Sequence, residues 1–202
     1  LMPIEYPKPP ADADKAAAAG VLDVHRSETR GRAPARSLRD IGDGGRRLAS
    51  PHAVHNLGLA DLEKPGRLAD APLTAWRYLV EEAGATVASA EVGVDAKGAV
   101  RGLDHVNEGP FVKATAAAQK AASKLPQVRD GKVEARVIRI PALYVMALWL
   151  KDLEGDKDVI VPMAPSPAFL EANRPYTERE FLKALSGPAK ARAGFSNAPE
   201  AG

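Results

Sequence analysis

The densest group of chemically capable side chains is R-G-L-D-H-V-N-E-G-P-F, residues 101–111. His105 is an imidazole, and Asp104 or Glu108 stands close enough in sequence to orient it as a general base. Asn107 and Glu108 fall just before Pro110, where a helix is expected to begin. The free N–H groups of a helix start suit an anion, and Arg101 adds a guanidinium fork for a carboxylate. The simpler expectation is a polar connecting loop, with Asn107 or Gly109 capping the helix. No Ser or Cys nucleophile sits nearby in a recognisable motif.

A second group is P-H-A-V-H-N-L-G-L-A-D, residues 51–61. His52 and His55 have H-x-x-H spacing, which brings both rings to one face if the segment is helical. Asp61 or Glu63 would then complete a divalent metal site. The zinc-protease pattern H-E-x-x-H is not met, so capping or surface histidines are the plainer expectation. A third group is the arginine run from Arg26 to Arg47, which suits phosphates or an acidic partner. Glu28, Asp40 and Asp43 dilute it, and no aromatic residue interleaves to stack on bases. It reads as a solvated arm, with nucleic acid a lesser alternative. Lastly, Arg136 and Arg139 fall in or beside a sheet. Arg139, with Arg101, is a candidate ligand contact; the structural expectation is pairing with a carboxylate such as Glu91 on a neighbouring strand.

The elements that must position these groups are legible mainly beyond residue 69. V-I-R-I-P-A-L-Y-V-M-A-L-W-L-K-D, residues 137–152, is too short between its charges to span a bilayer. Pro141 would break a helix there, and the β-branched and aromatic content suits strands. Two strands are expected, over about 132–140 and 142–152. Pro141 lies at a bend, and a bulge is expected where alternation slips at Val137-Ile138. After the turn L-E-G-D-K-D, V-I-V-P-M forms a third strand.

Asp70 as N-cap, Pro72 and the stripe Leu73, Trp76, Leu79, Val80 predict a helix ending at Gly84. Two strands follow about the turn D-A-K-G, with Ala88, Ala90, Val92 and Val94 on one face. G-P-F-V-K-A-T-A-A-A-Q-K-A-A-S-K-L predicts a helix of about fifteen residues. In P-Y-T-E-R-E-F, Thr177 and Glu180 form a capping box and Tyr176 and Phe181 a hydrophobic staple; Gly187-Pro188 should end that helix.

The expectation is therefore an α+β fold in α-β-β-α-β-β-β-α order. It has a largely antiparallel sheet of about five strands, with two or three helices packed on one face. Residues 1–69 are expected as an irregular arm with short helical pieces, 70–188 as the domain and 189–202 as a flexible tail.

Of the 202 residues, 27% are charged and 45% hydrophobic, with 28 Lys plus Arg against 26 Asp plus Glu. This is an ordinary soluble composition, rich in Ala, Arg and Gly as in GC-rich bacteria. A formal charge of +2 does not mark the whole chain for nucleic acid. The absence of cysteine excludes disulfides, thiolate chemistry and cysteine-bound zinc. There is no G-x-G-x-x-G, no G-x-x-x-x-G-K-[ST] and no G-x-S-x-G.

With no cofactor implied, the expected function is non-catalytic recognition of a protein partner, or self-association, including strand addition at a sheet edge. The alternatives are a ligand-binding or hydrolase-like site at His105 and Glu108, and nucleic-acid contact through residues 26–47. No membrane span is expected. A cytoplasmic location is favoured, and a signal removed upstream is left open.

Overall fold

The computed structural model describes residues 4–29, 46–63 and 66–196. The strands are β1 (Ile4–Glu5), β2 (Arg46–Asn56), β3 (Leu73–Glu82), β4 (Ala85–Val94), β5 (Val100–Asn107), β6 (Val133–Ile140), β7 (Val145–Asp152), β8 (Val159–Pro162) and β9 (Tyr176–Thr177). The helices are α1 (Ala11–Thr29), α2 (Leu59–Glu63), α3 (Pro110–Ala122), α4 (Pro126–Arg129) and α5 (Glu178–Ser196). Hydrogen bonds link the strands in the order β5-β4-β3-β2-β6-β7-β8-β9, with β1 parallel to β6, giving a nine-stranded mixed sheet. The α+β class holds, but the expected five strands do not. Most of the difference lies in segments expected to be helix or arm.

The chain divides into two compact units. One comprises Tyr6–Val54 and Leu73–Lys113. Residues 73–82, expected as a helix, form β3 here, in register with β4 from Ala75↔Gly93 to Glu82↔Ala85. A strand buried on both faces reproduces the helical spacing that misled the sequence reading. Trp76, Tyr78 and Val80 join the apolar cluster under α1, and the intervening Ala75, Arg77 and Leu79 are also buried. The supposed irregular arm supplies a 19-residue helix and an 11-residue strand. Ala13, Ala17 and Val21 seat α1 on β4, where Ala88, Ala90 and Val92 share the facing side as expected. Asp14 accepts a 2.8 Å hydrogen bond from the buried Tyr78 hydroxyl and so ties α1 to β3.

The edge strand β5 carries two register shifts, which leave Asp104 and Arg101 without a partner residue on β4. Each bulge adds one residue, so apolar side chains recur every third position. Val100, Leu103 and Val106 pack toward α1.

The other unit comprises Leu1–Glu5, His55–Pro72 and Ala114–Gly202. β6, β7 and β8 form the antiparallel set expected from the apolar tract. Pro141–Leu143 makes one 3-10 turn, and Tyr144 closes it in the left-handed region at φ 54°. The expected bulge at Val137-Ile138 is absent: pairing with β7 is continuous from Val133 to Ile140. Both residues are buried because both faces are covered, not because the register slips. Ile138, Ile140, Trp149 and Ile160 pack with Phe181 and Leu185 of α5. On the opposite face, Thr115 of α3 donates to Met163 Sδ at 3.4 Å. Helices therefore lie on both faces of this part of the sheet, where one was expected.

α5 starts as the sequence requires. Thr177 N and Oγ1 donate to Glu180 Oε2 at 2.9 Å, and Glu180 N donates back to Thr177 Oγ1 at 3.2 Å. The helix does not stop at Gly187-Pro188; it continues to Ser196 with Pro188 inside.

Candidate functional site

The histidines of H-x-x-H lie on β2, not on a helix. In a strand, residues three apart point to opposite faces, so the geometry assumed for a shared metal is not formed. His52 is 1% exposed. Its Nδ1 lies 2.6 Å from the Ser50 carbonyl and its Nε2 lies 3.2 Å from Arg77 Nη1. A carbonyl only accepts and a guanidinium only donates. His52 is therefore the neutral Nδ1–H tautomer, with both nitrogens engaged. Burial, then the Arg77 charge, push its pKa down to about 3, against the opposing pull of the Ser50 carbonyl. His55 donates from Nδ1 to Ala71 O at 2.8 Å and sets its ring edge-on to Trp149. Burial lowers its pKa as well.

Arg77 was hidden from the sequence reading by the helix assignment. It is 2% exposed and also donates from Nη2 to Phe111 O at 3.3 Å. Across the strands it stands opposite Glu91, and Glu91 stands opposite His105. His105 Nε2 approaches Glu91 Oε2 to 3.6 Å, so the carboxylate beside His105 is Glu91 of β4. Asn107 accepts from Gly109 N at 2.6 Å in the turn before α3, and residues 104–107, expected as a connecting loop, form the end of β5. Arg101 and Asp104, re-aimed by the two bulges, pair at 3.7 Å above Gly93. A Cβ at Gly93 would stand 2.5–2.7 Å from both side chains. This unit thus holds a polar row, His52–Arg77–Glu91–His105, across four adjacent strands, and its groups answer one another.

Arg139 belongs to the other unit, where its carbonyl accepts from Leu57 N at 2.9 Å. Arg136 pairs with a carboxylate of its own strand: it donates to Glu134 at 2.7 Å and lies over the Trp149 ring at 4.9 Å. Most of the arginine run, residues 30–45, lies outside the described residues. Arg47 pairs with Glu81, and Arg46 Nε and Nη2 are buried without a hydrogen-bond partner among the described residues.

The second unit also contains a cleft of about 930 Å³ that the sequence reading passed over. The β7–β8 turn, the α4 end and the start of α5 build it. Its lining carries seven carboxylates, Asp130, Asp152, Glu154, Asp156, Asp158, Glu178 and Glu180, against Lys157 and Arg179. Several are held rigidly. Asp152 accepts from Glu154 N and Lys157 N, both at 3.0 Å, which holds its carboxyl below the usual range. The buried Asp158 accepts from Trp149 Nε1 at 2.7 Å, and from Lys151 Nζ and Asp152 N at 3.0 Å. Glu178 accepts from Leu68 N at 2.6 Å, and the capping bonds to Thr177 lower the pKa of Glu180. The acid density of residues 152–158 and 178–180 was the available signal; read singly, these residues looked like turn and cap.

Among the described residues, no group of three or more metal-ligating side chains is placed to hold an ion, and no helix is long and apolar enough to cross a membrane. No protein-family model matches the chain, and comparison with curated proteins and with solved structures finds no match.

Proposed function

We propose that this chain is a non-catalytic binding protein that receives a cationic, Arg- or Lys-rich segment of a protein partner in the cleft between the β7–β8 turn and the start of α5. The observation that carries the reading is the cleft's size together with its lining of seven carboxylates and two cations. A concave site with an excess of one sign concentrates field and steers the opposite charge, although Arg67 already pairs with Asp156, Arg129 with Asp130 and Lys151 with Asp158. Carboxylates already fixed by backbone and side-chain donors keep lone pairs for further donors, so they meet a guanidinium with little loss of side-chain freedom.

Fluorescence anisotropy with a short labelled Arg/Gly peptide tests the reading. Binding should weaken with salt, and by on the order of tenfold in Glu154→Gln/Asp156→Asn. It should be unchanged in Asp104→Asn, which alters the other unit. Equal affinity in the double variant, or equal binding of a Glu/Gly peptide, would refute it.

A further inference from the structure

We propose that the His52–Arg77 contact is an acid-sensitive latch that holds β2 on β3 at one end of the polar row. The geometry sets the sign. His52 Nε2 serves as acceptor to a guanidinium that can only donate, at 3.2 Å. A proton on Nε2 would turn that contact into two donors and two like charges, with both side chains at 2% exposure or less. The other ring nitrogen gives no escape. It holds the Ser50 carbonyl at 2.6 Å, across a residue already in the left-handed region at φ 49°.

Within this unit, charged and titratable groups reach this contact from β3 and the strands beyond it, and β2 itself continues to a second, half-buried histidine, His55. β3 supplies Arg77, β4 supplies Glu91 opposite Arg77, and β5 supplies His105 3.6 Å from Glu91. From the first turn of α3, the Phe111 carbonyl accepts from Arg77. Glu91 faces Arg77 and His105, one position removed from His52, so the group in contact with the imidazole is the cation.

Local opening of β2 frees His52 to take up a proton at its ordinary pKa of 6.5, whereas the closed strand holds it near 3. The folded pKa is depressed, so the open form binds more protons. The latch is therefore fully closed above about pH 6.5 and weakens as pH falls toward 3. Linkage gives a rise of roughly 25-fold in the opening constant of β2 between pH 7 and pH 5.

Hydrogen exchange of the full chain, corrected for intrinsic rates at each pH, reads this directly. The amides of β2 should lose about 25-fold in protection from pH 7 to pH 5 while those of β6–β8 change little. His52→Gln, which accepts from Arg77 but does not titrate, should sharply reduce the β2 response and leave only the part due to His55, whose pKa burial also lowers. A β2 response in the wild-type chain no larger than that of β6–β8 overturns the proposal even if the variant fails to fold. So does an undiminished β2 response in a folded variant.

Discussion

Replacing Asp158 with Ala removes one acceptor from three donors at once. The Asp158 carboxylate is 4% exposed as a side chain, and Trp149, which donates to it, is fully buried. Truncation leaves Trp149 Nε1 and Asp152 N without that acceptor and Lys151 without its counter-ion. Breaking a buried charged pair by removing one partner costs about 3–5 kcal/mol. The Lys151 side chain is 20% exposed and can turn to water, so the lower end applies, about 3 kcal/mol. Urea m-values for chains of this size are about 2 kcal/mol per molar, which puts the midpoint shift near 1.5 M. The assay is Trp149 emission in a Trp76→Phe background, since Trp76 and Trp149 are the chain's two tryptophans. Asp158→Asn keeps one acceptor oxygen and should lose roughly half as much. A midpoint shift below about 0.5 M at unchanged m would refute the view that Asp158 anchors Trp149, Lys151 and the Asp152 backbone beside the cleft.

Three further outcomes follow from local geometry. Thr177→Ala breaks the capping box and should destabilise the chain by about 1 kcal/mol, read by thermal unfolding. Gly20→Ala would place a Cβ 2.3 Å from Leu103 Cδ2, and the overpacking should outweigh the helix gain by about 1 kcal/mol. In a Leu103→Ala background the same change should become stabilising, and a double-mutant cycle that stays additive would contradict the packing argument. Tyr144 is 78% exposed in a left-handed conformation. Tyr144→Gly should therefore raise stability by about 0.5 kcal/mol, and a clear loss would show that the ring has a folded-state contact.

The parts of the fold that the sequence made legible are those written in local chemistry. Thr177 and Glu180 specify the start of α5 through each other, and Asp95 and Gly98 specify their turn by a 2.9 Å bond. Pro141 amid β-branched residues marks the β6–β7 connection. The errors came where burial on two faces erased the strand period. Leu73, Trp76, Leu79 and Val80 match a helix as well as they match β3, and only pairing with β4 decides between them. Val100, Leu103 and Val106 show the reverse case, since two bulges give a strand a period of three. Arg77 shows why the polar row was missed: a buried arginine in an apparent helix looks like a solvent-facing one. The bulges and charges of β5 also blunt the edge that the sequence reading offered for strand addition. His105 stood out as a single residue, but its neighbour Glu91 lies fourteen positions away and is brought there by the β4–β5 register.

The most direct test of the cleft as a binding surface is amide chemical-shift mapping of the labelled full chain during titration with the Arg/Gly peptide. The account predicts saturable shifts confined to residues 152–158 and 175–180, lost when Glu154 and Asp156 are neutralised. Saturable shifts centred instead on β4 and β5, or none at all, would contradict it.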